Sequence, residues 1–146
     1  TFAAVLPGLL VAHQVADHWV QTSHQAACKG RRTGWPAGLA AHVASYTAVT
    51  AGTVALLWVL LGLAISPAGF LLGQAVSAAT HYWADRRVTL ARLAELAGKA
   101  EFYRLGVPGG HDDNPSLGTG AYALDQSWHW AWLGVAALLT ALVGGE

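Results

Sequence analysis

The sequence predicts an all-α protein, a four-span transmembrane helix bundle with one amphipathic helix at its cytoplasmic interface. Three observations predict it. Of 146 residues, 54% are hydrophobic and 11% charged, against about 25% charged in ordinary soluble domains. The apolar residues gather into four stretches, near residues 2–20, 38–65, 67–85 and 122–143, and a spanning helix needs roughly 17 to 25 of them. All eight Lys and Arg residues fall outside these stretches, in two polar segments that a four-span chain places on one side. Residues 1–146 therefore read as a single polytopic membrane domain.

The first stretch runs on without a small-residue cleavage site and reads as a span, not a signal peptide. The segment after it, Gln21 to Ala37, is polar and carries Lys29, Arg31 and Arg32. It holds the one cysteine, Cys28, so there is no intrachain disulfide framework. Lys29 and Arg31 beside it favour the thiolate, and the residue reads as a reduced loop thiol. Ser66 and Pro67 form the break between the second and third stretches, a tight turn that makes those helices antiparallel neighbours. The long segment from Arg86 to Ala121 carries Arg86, Arg87, Arg92, Lys99 and Arg104. The positive-inside rule makes the two basic segments cytoplasmic, and the termini and the Ser66–Pro67 turn then face outward, in the inner membrane.

Within the long segment, about 88–104 reads as the amphipathic helix. Leu90, Leu93, Leu96, Ala97 and Ala100 recur at helical spacing, with Arg92, Glu95 and Lys99 opposite. Such a helix lies on the membrane surface or packs on the bundle. Residues 106–120 hold five glycines and two prolines and read as a loop. Trp residues near the span ends match an interfacial aromatic belt. The zero net charge excludes the electrostatic case for nucleic acid.

Chemistry enters through a recurring pair. His13 and Asp17, His81 and Asp85, and Asp125 and His129 each stand four apart, on one face of a helix. Each pair offers an imidazole nitrogen and a carboxylate oxygen to a common point, and divalent ions accept both ligand types. His42 adds an imidazole near the start of the second span. The four-span topology puts all seven at one depth, near the cytoplasmic face. Three Asp residues with no intramembrane Lys or Arg leave a charge deficit that one or two divalent cations would offset. Zinc is the first choice and manganese the alternative. Seven candidates exceed one tetrahedral site, so some would serve as outer partners that orient ligands; a polar network with each Asp holding a His ring is the competing reading. Gln21 and Gln126 flank the cluster, His18 and His24 read as interfacial, and His111, Asp112 and Asp113 could join from the loop.

These motifs, His13-x-x-x-Asp17-x-x-x-Gln21, His42-x-x-x-Tyr46, His81-x-x-x-Asp85 and Asp125-Gln126-x-x-His129, with the stretch Gly118 to Gln126, resemble a family of small bacterial and phage membrane proteins, domain of unknown function 3307. The similarity covers nearly the whole chain. The chain also resembles membrane-bound metal-dependent hydrolases, which share His-x-x-x-Asp motifs on apolar helices. The resemblance implies a metal-dependent hydrolase acting on phosphoesters, with His13, Asp17, His42, His81, Asp85, Asp125 and His129 as ligands and Tyr46 behind His42. A bound metal would activate water. Asp17, Asp85 or Asp125, where not a ligand, could act as general base. A cytoplasmic-interface site suits a phospholipid or a phosphorylated amphiphile. The rival is a non-enzymatic, phage- or plasmid-type membrane protein with a structural metal or polar core that binds a partner. Haem binding and ion transport are weaker readings: each span His is paired with Asp, and the outer halves of the spans hold few polar residues.

Overall fold

A computed structural model describes residues 1–29, 37–107 and 117–144. Among the described residues the chain is helical, with no strand. Helix α1 (Phe2–Val15) continues into a π-helical turn, Ala16–Val20, closed by Gln21 N on Ala16 O at 2.9 Å. Then come α2 (Ser23–Cys28), α3 (Ala37–Leu61), α4 (Pro67–Asp85), α5 (Val88–Leu96), α6 (Ala100–Tyr103) and α7 (Gly120–Leu142). Helices α1, α3, α4 and α7 form a four-membered ring in which α1 packs on α3 and α7, and α4 packs on α3 and α7.

Local sequence explains most of the ends. Thr22 and Gln25 form a reciprocal capping box for α2, which satisfies two orphan donors at once. Ser66 caps α4 by accepting from Gly69 N, with Pro67 in the first turn, and Thr119 caps α7 by accepting from Tyr122 N. Gly98, at φ +69, ends α5. The most extensive helix contact is α4 on α7. A Cβ on Gly73 would stand 2.1 Å from Thr140 Oγ1 and 2.8 Å from Ala136 O, so only glycine lets the two backbones approach this closely. Gly69, one turn away, faces Val143 O in the same way. This is the small-residue packing typical of membrane helices.

The interior is divided along its length. Val5, Leu9, Val54, Ile65, Leu133, Ala136 and Ala137 form one apolar cluster. Toward the other end the buried side chains turn polar: His13, His42, Ser77, His81, Asp85 and His129. Below them Leu90, Ala94, Tyr103 and Ala121 make a second apolar cluster with Trp83, Leu124 and Trp128.

The all-helical expectation holds among the described residues. Of the four expected spans, one helix among the described residues, α3, is long and apolar enough to cross a membrane by length and composition, with mean hydropathy 1.7. The reason is visible in the others. Helix α1 has 14 residues before the π turn, and α4 and α7 carry Gln74, Ser77, His81, Asp85, Asp125, Gln126 and His129. The stretch 38–65 ends as a helix at Leu61. The segment after the first stretch holds a capped helix, α2, where a loop was expected. The amphipathic segment 88–104 is two helices broken at Gly98, not one. It packs on the bundle through Leu90, Ala94 and Tyr103, while Leu93, Leu96, Phe102 and Leu105 stay exposed.

Candidate metal centre

The seven sequence candidates meet in one cluster contributed by every helix of the ring. His13 comes from α1, Asp17 from the π turn, His42 from α3, His81 and Asp85 from α4, and Asp125 and His129 from α7. The π turn widens the helix at Asp17, a local irregularity often found at functional sites. It keeps Asp17 directed inward: Asp17 Oδ2 stands 3.7 Å from His13 Nδ1, and Asp17 Oδ1 stands 3.3 Å from His42 Nε2 and 3.4 Å from His81 Nε2.

The centre of the cluster is the pair of imidazoles from α3 and α4. Their Nε2 atoms lie 2.9 Å apart. Asp17 Oδ1 flanks them on one side, and Asp85 Oδ2 approaches them at 3.2 and 3.3 Å. Two triangles of potential ligand atoms therefore share the His42–His81 edge. A triangle with edges of 2.9, 3.3 and 3.4 Å has a point about 1.9 Å from every corner, so these three atoms would fit an ion with bonds of about 2.0–2.1 Å. Asp17 Oδ1 and the Nδ1 atoms of His13, His42 and His81 are buried without a hydrogen-bond partner, while Asp85 Oδ2 has Lys29 Nζ at 2.9 Å. Two imidazole nitrogens 2.9 Å apart, flanked by a carboxylate oxygen on either side, form a donor set of the kind a divalent cation accepts.

The second half of the cluster lies between α4 and α7. His129 Nε2 is 3.5 Å from Asp125 Oδ1 and 3.9 Å from Asp85 Oδ1. His13, His81 and His129 also bring ring nitrogens within 4.8 Å of one another, as do the ligand atoms of Asp85, Asp125 and His129. An amide chain holds this side. Gln14 Nε2 donates to Gln126 Oε1 at 3.1 Å, His13 Nε2 shares that oxygen at 3.3 Å, and Gln126 Nε2 donates to Asp125 Oδ2 at 3.3 Å. When His13 Nε2 carries the hydrogen, Nδ1 keeps a bare lone pair facing Asp17.

Other candidates take different places. Tyr46 stacks on His81 with ring centroids 3.7 Å apart, and its hydroxyl bonds Ser77 Oγ at 2.8 Å, so it positions the imidazole. Gln21 ends the π turn with Oε1 buried and unbonded. His18 bonds Gln14 O through Nδ1, and His24 lies by Cys28; neither joins the cluster. Cys28 is buried and not an open loop thiol. His111, Asp112 and Asp113 lie outside the described residues.

Three positions were missed. Gln14 sits one residue from a named ligand candidate and gave no periodic signal. Ser77 continues the His81–Asp85 face by one more turn, so spacing alone could have found it. Lys29 is the larger correction. The sequence reading left the carboxylates with no basic partner, yet Lys29 Nζ lies 2.9 Å from Asp85 Oδ2, with side chains 11% and 3% exposed. Helix α2 folds back on α3 and delivers this loop lysine to the cluster.

The comparisons with known proteins give one result. No curated protein and no solved structure matches the chain. A family model described as a protein of unknown function (DUF3307) matches residues 5–144, a span that includes all seven clustered residues. The chain belongs to that family.

Proposed function

We propose that the protein is a membrane-embedded, metal-dependent hydrolase working at the cytoplasmic interface on a phosphoester or lipid substrate. The observation that carries the reading is the convergence of Asp17 Oδ1 and Asp85 Oδ2 on the His42 and His81 Nε2 pair, at separations of 2.9 to 3.4 Å. Those residues would hold a divalent ion, zinc or manganese. Bound there, it would supply an activated water and polarise the scissile group. Asp125 is the most open of the three carboxylates, at 16% side-chain exposure. Lys29 stands over Asp85 and is placed to meet an anionic substrate group.

The membrane part of the proposal is that residues 2–20, α3, α4 and α7 all cross, with the basic segments cytoplasmic. An inverted distribution of polarity supports it. Leu56, Val59, Leu60, Leu71 and Leu142 are 57 to 79% exposed, while His13, His42, Thr50, His81 and Thr140 are at most 1% exposed. Water-soluble chains bury the first kind and expose the second. In lipid, ionisable residues turn toward the bundle interior and are paired.

The test is elemental analysis of the detergent-purified chain, alongside hydrolysis of a chromogenic phosphodiester. Near-stoichiometric zinc or manganese, lost in His81→Ala, with hydrolysis abolished by chelator, is expected. A folded preparation without bound metal or hydrolysis overturns the proposal. The Lys29–Asp85 ion pair favours a second reading, a non-enzymatic polar core that fixes helix packing. In that case Asp17→Asn and Asp125→Asn would fold and keep whatever partner binding the protein has.

A further inference from the structure

We infer that the centre holds two cations with Asp85 as the bridge; the inference rests on the metal-binding reading above. Asp85 offers its two oxygens to different imidazoles. Oδ2 faces His42 and His81 at 3.2 and 3.3 Å, and Oδ1 faces His129 Nε2 at 3.9 Å. The first oxygen belongs to the site already described. The second opens on a separate position, bounded by Asp85, Asp125 and His129, whose ligand atoms lie within 4.8 Å of one another.

That position has its own evidence of a ligand. His129 is 3% exposed, and its Nε2 is buried with no hydrogen-bond partner. It points between two carboxylate oxygens at 3.5 and 3.9 Å, too far for a hydrogen bond. With the third edge at most 4.8 Å, the point equidistant from the three atoms lies about 2.0–2.4 Å from each, close to the 2.0–2.2 Å of zinc bonds to nitrogen and oxygen. Asp125 is pre-aimed, because Gln126 Nε2 holds Oδ2 at 3.3 Å and leaves Oδ1 toward His129. Charge agrees. Asp17, Asp85 and Asp125 carry three formal negative charges, and Lys29, on Asp85, is the Lys or Arg paired with them among the described residues.

A carboxylate that gives one oxygen to each of two ions holds them at about the 3.5–4 Å spacing at which paired metals stabilise both the attacking and the leaving oxygen of an in-line displacement. That spacing serves hydrolysis of phosphoesters and of peptide bonds alike. Asp17 takes part from the far side, with Oδ1 on the first position and Oδ2 toward His13.

The experiment loads the full chain, purified in detergent and stripped with chelator, with Mn2+, and reads stoichiometry and the electron paramagnetic resonance spectrum. Two ions per chain with an exchange-coupled spectrum are expected. His129→Gln and Asp125→Asn should each bind one ion and show the hyperfine pattern of an isolated Mn2+; the retained ion reports that the variant has folded. One ion per wild-type chain, or two in both variants, overturns the inference and leaves the metal-binding reading standing. No ion in the wild type overturns both.

Discussion

Replacing Lys29 by Met removes the one ammonium that the structure places on the cluster while keeping most of the side-chain volume. Lys29 Nζ and Asp85 Oδ2 are 2.9 Å apart, with side chains 11% and 3% exposed. At an effective dielectric of about 20, that separation corresponds to about 6 kcal/mol of attraction. Desolvation offsets part of it, and removing one partner of a buried pair generally costs about 3–5 kcal/mol, because the other charge is stranded. In chelator, K29M should therefore unfold more readily than wild type by about that amount. With saturating Mn2+ or Zn2+ the deficit should shrink to below about 1 kcal/mol, since the cation takes over the compensation of Asp85. The ammonium and the cation compete for the same oxygen, so the variant should also bind metal more tightly, by about tenfold for each 1.4 kcal/mol of competition removed. Thermal unfolding in detergent with and without metal, paired with a competitive chelator titration, reads both quantities. An equal deficit in both conditions, or weaker metal binding in K29M, refutes the reasoning and makes Lys29 a structural cation.

The remaining predictions use other parts of the bundle. Gly73→Ala should destabilise by about 1–3 kcal/mol through overpacking, and adding Thr140→Ala should recover only part of this, since Ala136 O also lies 2.8 Å from the new Cβ; denaturant unfolding of the single and double variants checks it. Gln126→Ala frees Asp125 and His13 from their amide partner and should weaken metal binding about 10- to 100-fold while circular dichroism stays unchanged. Thr119→Ala removes the α7 cap and should cost about 1 kcal/mol, measured by the unfolding midpoint. Cys28, buried beside Gly38 and His24, should react slowly with maleimide until the protein is unfolded; rapid labelling of the native protein contradicts the packing of α2 on α3.

The sequence carried the helices and the meeting of the seven side chains because both depend on spacing. Positions four apart share a helix face whatever the surroundings, and the distribution of Lys and Arg set which ends of the apolar stretches lie together. What stayed hidden depends on contacts distant in sequence. Nothing local marks Ala16–Val20 for a π turn; it is fixed by where Asp17 must point against α3 and α4. Lys29 looked like one more cytoplasmic cation until α2 folded back. The break at Gly98 needed only one positive φ, which the apolar repeat running from Leu90 to Ala100 concealed. Helices α4 and α7 bury His81, Asp85, His129 and Thr140 among apolar neighbours, and an average over each helix merges its faces.

The amide bridge between the first and last long helices sets a schedule for making the protein. His13 and Gln126 are 113 residues apart, and the shells around both candidate cations draw on widely separated parts of the chain. A ribosome adds about 5–20 residues per second, so His13 and Asp17 wait several seconds before Asp125 and His129 are synthesised. During that time the early carboxylates stand without their α7 partners. A nascent chain is therefore most exposed to mispairing and proteolysis just before its last helix is made, and premature termination before Asp125 leaves a product that cannot complete the centre.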